Sequence, residues 1–423
     1  VTGSPPRRRV RVAYWVNQPA PYFVGRFNAV ADRGTLDFEA WFSETRQPDR
    51  SWEVDPSQWR FRARSIPGRR LPLTRGRLIR FPLREMRELR PDVLVLEYDR
   101  AHFAVTALAA TALAGRVCLR VLPNFDAWSR RTWWREAAKA LLFRSVDGAK
   151  VPGPAGASLA VRYGLPRRRT WTVTQSIDVV HYGSALAVDA DERARLRESL
   201  HLHGCVFLYI GRLWDGKGVS HLLDAYEIVR AAEPDVSLLL VGDGVDEARY
   251  RARAATLPGV AFAGFVQAFD IPRVAAAADV FVFPTLGDPN GLVVEEALAS
   301  GLPVITTSAA GDIAARVPDP ETTVVPPADP HALADRMVRL ARSPAERSRL
   351  AAAGLALVAD RGHDRYAEDF ETFILGVLAS GRRGGGVARS VRAAARVFGA
   401  RGRRAGDPDA GRWSAPADQA EGP

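Results

Sequence analysis

The sequence predicts an α/β protein of two Rossmann-like, doubly wound domains facing a central cleft. Three observations lead there. At 423 residues the chain is too long for one hydrophobic core. Short apolar runs bounded by Gly and Pro alternate with helical patterns through both halves, which is the cadence of parallel sheets with right-handed crossovers. In each half a strand opens through a turn directly into a helix, the way such sheets place a ligand loop at their carboxyl edge. The expected divisions are 1–183 for a first domain, 184–362 for a second, 363–378 for a helix returning to the first, and 379–423 for a basic, disordered tail.

In the first half, a Pro/Arg leader precedes a strand at Val10–Val16 and a turn at Asn17–Tyr22. A helix carrying Phe27, Val30 and Ala31 follows, then a strand at Leu36–Phe42. The stretch Thr45–Arg80, arginine-rich and with Trp52 and Trp59, reads as irregular, and a loop of that length suits a ligand-binding insertion. The strand ending at Leu96 delivers Glu97, Tyr98, Asp99, Arg100 and His102 to one edge of the sheet. Val117–Leu122 is the next strand, followed by Asn124 and Asp126. Ser129–Arg144 is a basic helix with Trp133 and Trp134 near its start. Two readings of it stand: rings and cations at a membrane headgroup layer, or a face packed on the sheet with solvated arginines, the commoner case. A strand at Trp171–Val173 then leads to Gln175–Asp178.

In the second half, the strand Cys205–Ile210 runs into Gly211-Arg212-Leu213-Trp214-Asp215-Gly216-Lys217-Gly218 and a helix from Val219. Its glycines let the backbone approach a ligand, and a guanidinium and an ammonium on one turn suit a diphosphate. Lys217 is one of only three lysines, with Lys139 and Lys150, in a chain that otherwise uses arginine. Strands at Val236–Val241 and Val260–Phe262, with helices after each, continue the alternation.

The stretch that organises the rest is Val280–Thr307, a strand, a polar loop, a short helix and a second strand. Asn290 and Gly291 stand at the helix start, and Gly301 at its end. The unpaired amides of that helix start, at Asn290, Gly291 and Leu292, suit a phosphate. Asp288 lies before the helix, and Glu295 and Glu296 lie within it. Carboxylates beside an anion site suit the hydroxyls of a sugar or ribose, whereas the plain alternative is first-turn acids stabilised by the helix dipole.

This pattern resembles the signature of the family 4 glycosyltransferases, retaining enzymes of the GT-B fold. In that family an acidic residue, seven intervening residues and a glutamate precede Ala-Met-Ala-x-Gly-x-Pro-Val. Here Asp288, the residues 289–295, Glu296 and Ala297-Leu298-Ala299-Ser300-Gly301-Leu302-Pro303-Val304 fit it, with Asp288 one methylene shorter than the usual glutamate. Gly-Arg-Leu-x-x-x-Lys-Gly at 211–218 is similar to the family's second hallmark. The resemblance implies Arg212 and Lys217 on the donor's phosphates, Glu296 on the ribose and Asp288 on donor-sugar hydroxyls. It also implies a base contact through the backbone near Val266 and a histidine near the reacting carbon, for which His102 is the candidate. It implies a nucleotide sugar as donor and a saccharide, lipid or small molecule as acceptor, and since no metal-ligand cluster appears in the sequence no metal or other cofactor is expected. Rival readings are a GT-B sugar-nucleotide epimerase and, from another class, a non-catalytic nucleotide-sugar-binding subunit or a basic nucleic-acid binder using the arginine tail.

The net charge of +11 favours anionic ligands and surfaces, including contact with an acidic membrane, although no nucleic-acid partner is expected. Cys118 and Cys205 lie in apolar strands and read as buried thiols. The longest apolar run, Ala101–Ala114, is too short to span a bilayer. With no apolar leader, and with Val1 read as the encoded start, a cytoplasmic protein is expected.

Overall fold

The structure is a computed structural model and describes residues 8–43, 52, 54–66, 68–70, 78–80, 82–97, 110, 114–122, 132–288 and 291–381. His102, Asn290, Asn124, Asp126 and nearly all of the tail lie outside the described residues. The chain divides into two compact units.

The first unit holds the described residues up to Val121, those of Arg131–Thr174 and those from Tyr366 onward. Its strands are β1 (Val10–Val16), β2 (Leu36–Phe42), β3 (Arg62–Ser65), β4 (Gly68–Arg70), β5 (Leu78–Arg80), β6 (Val93–Leu96), β7 (Arg116–Arg120), β8 (Gly148–Val151) and β9 (Thr170–Thr172). Seven of them form a parallel sheet in the order β3-β2-β1-β6-β7-β8-β9, and β4 and β5 pair as a separate antiparallel ribbon. Both faces of β1 are covered, since Ala13 and Trp15 are as buried as Val12 and Tyr14. That is why the strand reads from Val12 onward as a continuous apolar run rather than an alternating one.

β3 corrects the reading of Thr45–Arg80 as irregular throughout. Its arginines are held by cross-strand and helix partners: Arg62 pairs with Asp37, and Arg64 with Glu39 at 2.8 Å and Glu88 at 2.6 Å. Trp59 stacks on Phe61 with ring centroids 5.3 Å apart. Such a strand has no apolar alternation for a sequence scan to find.

The helix His363–Ala379 buries Tyr366, Phe370, Phe373, Ile374 and Val377 in the same core as Tyr14 and Phe27. Lys150 is buried beside it. Its Nζ donates to Tyr366 Oη at 2.7 Å and lies 4.5 Å from the centre of that ring. Burial, with Arg120 and Arg26 nearby, holds this ammonium well below the ordinary lysine range.

The second unit holds Leu122 and the described residues of Gln175–Arg365, with strands β10 (Cys205–Ile210), β11 (Val236–Val241), β12 (Val260–Gly264), β13 (Val280–Phe283), β14 (Val304–Thr307) and β15 (Val324–Val325). They form one parallel sheet in the order β12-β11-β10-β13-β14-β15. Alternate residues of β10 feed two cores, Val206 and Leu208 on one face and Phe207 and Tyr209 on the other. The strand order reverses between β10 and β13, the crevice where open α/β sheets bind ligands.

The expected boundary at 183/184 falls inside this second unit. Ile177 N donates to Arg361 O at 3.0 Å, Ser176 Oγ lies 2.9 Å from His363 Nδ1, and Tyr182 belongs to the second core. The segment from Gln175 is therefore tied down by packing that its composition does not announce.

Cys118 is buried and Cys205 half-buried, both as free thiols. Burial lifts the Cys205 thiol to about 11. Among the described residues, no helix is long and apolar enough to cross a membrane.

Candidate nucleotide-sugar site

β10 and β13 pair directly, Phe207 against Val280 and Leu208 against Phe281, so the loops that follow them emerge side by side. Backbone and hydroxyl contacts join these loops. Leu286 N donates to Gly216 O at 3.1 Å, Thr285 Oγ1 donates to the same carbonyl at 3.4 Å, and Thr307 Oγ1 anchors Thr285 O at 2.5 Å. At Gly218 the backbone has φ +73°, and a Cβ there would lie 1.9 Å from the Pro284 carbonyl oxygen. Only glycine permits both that conformation and that approach.

Lys217 therefore meets Asp288. Its Nζ forms an ion pair with Asp288 Oδ2 and lies 5.5 Å from the centre of the Phe283 ring. The other oxygen of Asp288, Oδ1, accepts from Gly291 N at 2.5 Å, so the carboxylate bridges the ammonium and the residue before the helix Leu292–Ala299. Asp288 is 8% exposed, and its own amide is held by Ala309 O at 3.1 Å. Gly291 has φ +61°, and a Cβ on it would lie 3.3 Å from Ile313 Cγ2.

One expectation changes here. The Gly291 amide is engaged by Asp288, which leaves the amides of Leu292 and Val293 as those without an acceptor among the described residues. Asp288 also bridges Lys217 and the helix start, a contact that the resemblance did not imply. Asn290 and His102 lie outside the described residues.

Arg212 begins the same turn, with its carbonyl accepting from Tyr209 Oη at 2.8 Å and from Trp214 N at 3.1 Å. The carbonyl of Gly211 is packed against Gly242, while its amide donates to Val241 O at 2.9 Å. Val266, in the loop after β12, packs on the second unit's core.

The two glutamates have different fates. Glu295 is 2% exposed and pairs with Arg316 at 3.7 Å, which makes it part of the interior. Glu296 is half-buried and accepts a hydrogen bond from Tyr182. Burial first, and the Glu296 carboxylate second, push that phenol well above its ordinary range, so it stays protonated and donates. Sequence reasoning missed Tyr182, which no motif marks. Tyr182→Phe is expected to raise the KM for a bound nucleotide at least about tenfold with little change in kcat, the loss of one hydrogen bond to a charged group. Steady-state kinetics over a donor series would test it, and an unchanged KM would remove the positioning role.

In the first unit, Glu97 is buried and paired with Arg120, whose guanidinium lies 5.0 Å from the Phe23 ring centre. Tyr98, Asp99 and Arg100 lie outside the described residues. Among the described residues, no group of three or more His, Cys, Asp or Glu is placed to hold a metal ion.

Residues 204–343 match the family described as Glycosyl transferases group 1. The GDP-mannose-dependent alpha-mannosyltransferase of Mycobacterium tuberculosis is 28% identical over 266 residues, 59% of this chain and 65% of that protein. The phosphatidyl-myo-inositol mannosyltransferase of Mycobacterium leprae is 37% identical over 188 residues, 43% of this chain and 49% of that protein. The chain thus spans less than two thirds of the length of these relatives. Among solved structures, Anabaena Alr3699/HepE in complex with UDP superposes with a TM-score of 0.67 at 16% identity, covering 86% of this chain and 99% of that one.

Proposed function

We propose, from the match of residues 204–343 to the family described as Glycosyl transferases group 1 and from the GT-B fold, that the chain transfers a sugar from a nucleoside diphosphate to an acceptor hydroxyl with retention. The observation that carries this reading is the Lys217–Asp288–Gly291 link at the reversal point of the second sheet.

Breaking the anomeric C–O bond sends its electron pair to the diphosphate and leaves a carbocation-like sugar. Lys217, Arg212 and the amides of Leu292 and Val293 would take up the growing charge on the leaving group, and such preorganised donors are worth roughly 3 to 4 kcal/mol each. These donors do the work without a divalent ion in this account. Asp288 supports the step by holding Lys217 against the helix start. Glu296, fixed by Tyr182, would accept hydrogen bonds from the ribose. The acceptor oxygen attacks on the face the diphosphate leaves, and its proton passes to that phosphate. Acceptor binding is assigned to the first unit.

The relatives' names favour GDP-mannose as the first donor to test and a membrane lipid among the acceptors. Incubation with GDP-mannose or UDP-glucose, a lipid or saccharide acceptor and excess EDTA should yield nucleoside diphosphate and an α-linked product by NMR. Release of an altered free sugar would favour an epimerase, and binding without turnover would favour a silent subunit. Either result overturns the proposal.

The acidic-membrane contact rests on the helix Trp133–Ser145. Trp133 is 83% exposed and Leu141 40% exposed, at positions i and i+8 of one stripe, with Arg144 exposed on the same side. Ring and cation together fit an anionic headgroup layer. Co-sedimentation with vesicles containing phosphatidylglycerol is expected and should fall about tenfold in Trp133→Ser, one large aromatic at the interface being worth about 1 to 2 kcal/mol. Equal binding by the variant would return the helix to a merely solvated role.

A further inference from the structure

A cavity of about 370 Å³ opens at the other end of β13, on the amino edge of the second sheet. It is bordered by Asp279, which precedes β13, by Pro303, which precedes β14, and by Arg193, Ser300, Arg347 and Ser348. The nucleotide-sugar site lies at the carboxyl edge, so the two are separated by the length of the strand.

The charges around this cavity do not balance within the protein. Among the described residues Asp279 is the only carboxylate on its lining, and it is shared by two guanidinia, Arg193 Nη2 at 2.6 Å and Arg197 Nη2 at 2.7 Å. It also accepts from Val206 N at 2.8 Å. Arg347 adds a third cation. Its Nη1 donates to Leu340 O at 2.6 Å and Ala341 O at 2.9 Å. Arg193 uses Nη2 on Asp279 and on Ala278 O at 2.9 Å. The Nε and remaining Nη groups of Arg193 and Arg347 have no acceptor among the described residues. Each guanidinium is thus fixed by one nitrogen and keeps donors available, the arrangement that suits an oxyanion. The cavity falls within the size range of small-molecule sites and exceeds what one inorganic anion needs.

We propose that this cavity is a second anion site, taking the phosphate group of a small phosphorylated metabolite through Arg193 and Arg347. The proposal is independent of the reading of the nucleotide-sugar site. Because that site is also expected to attract phosphate, the experiment uses the full chain carrying Lys217→Ala. Calorimetric titration of this variant with inorganic phosphate and with glucose 6-phosphate should still show binding. The sugar phosphate should bind more tightly, which would identify a phosphate ester rather than free phosphate as the occupant. Adding Ser348→Asp places a carboxylate on the cavity rim at an exposed position without removing a native contact. It should weaken both ligands about tenfold or more, as should Arg347→Gln. Absence of binding in the Lys217→Ala protein, or binding that Ser348→Asp leaves unchanged, would overturn the proposal.

Discussion

Lys217→Ala is expected to lower kcat about 10²–10³-fold while far-ultraviolet circular dichroism and melting behaviour remain near wild type. The ammonium is fixed on two sides, by the Asp288 carboxylate and by the Phe283 ring, so under the proposed function it would meet the leaving phosphate already oriented. Its contribution grows as charge moves onto the diphosphate, which places the loss mainly in kcat rather than in KM. Asp288 keeps its bond to Gly291 N in the variant, which limits the cost of stranding a buried carboxylate. Lys217→Arg should recover only part of the rate, because a planar fork does not reproduce a compact point charge in that corner. Single-turnover measurements with saturating donor would test this, and near-normal turnover in Lys217→Ala would remove the leaving-group site.

Gly218→Ala is expected to destabilise the second unit by at least about 3 kcal/mol, with loss of activity in whatever protein remains folded. Two penalties act at once. The backbone there has φ +73°, and the added methyl would sit 1.9 Å from the Pro284 carbonyl oxygen, a rigid partner at the end of β13. Either the turn after β10 or the loop after β13 must move, and each carries half of the Lys217–Asp288 contact. Gly34→Ala is the control, since it shares a positive φ but has open space around the new methyl. Thermal unfolding should show a small shift for the control and a large one for Gly218→Ala. Similar shifts would mean that the close approach of the two loops matters little.

Much of this arrangement was legible in the residues. Cys205–Ile210 is a continuous apolar run, and Val12–Val16, Ala40–Phe42 and Leu238–Val241 are apolar stretches within their strands, because helices cover both faces of each sheet and that burial writes itself into composition. The two glycine-marked loops were legible because backbone approach restricts residue choice there. β3 was not, because arginines paired to Asp37, Glu39 and Glu88 stabilise it in place of an apolar face. Tyr182 was not, because its hydrogen bond to Glu296 depends on how distant segments pack. The roles of Glu295 and Glu296 were likewise indistinguishable in sequence, since adjacent helical positions differ by about 100° in direction and only the fold says which one faces Arg316. The brace formed by Asp288 is a further case: spacing located the carboxylate, but only coordinates show it satisfied by Lys217 and Gly291.

A crystal structure with the donor's nucleoside diphosphate bound in the presence of a chelator tests the central claim most directly. The account predicts the β-phosphate within hydrogen-bonding distance of Lys217 Nζ, the Arg212 guanidinium and the amides of Leu292 and Val293, with no ion bridging the phosphates. A diphosphate seated away from the loops after β10 and β13, or one that binds only when a divalent cation joins it, would contradict the account.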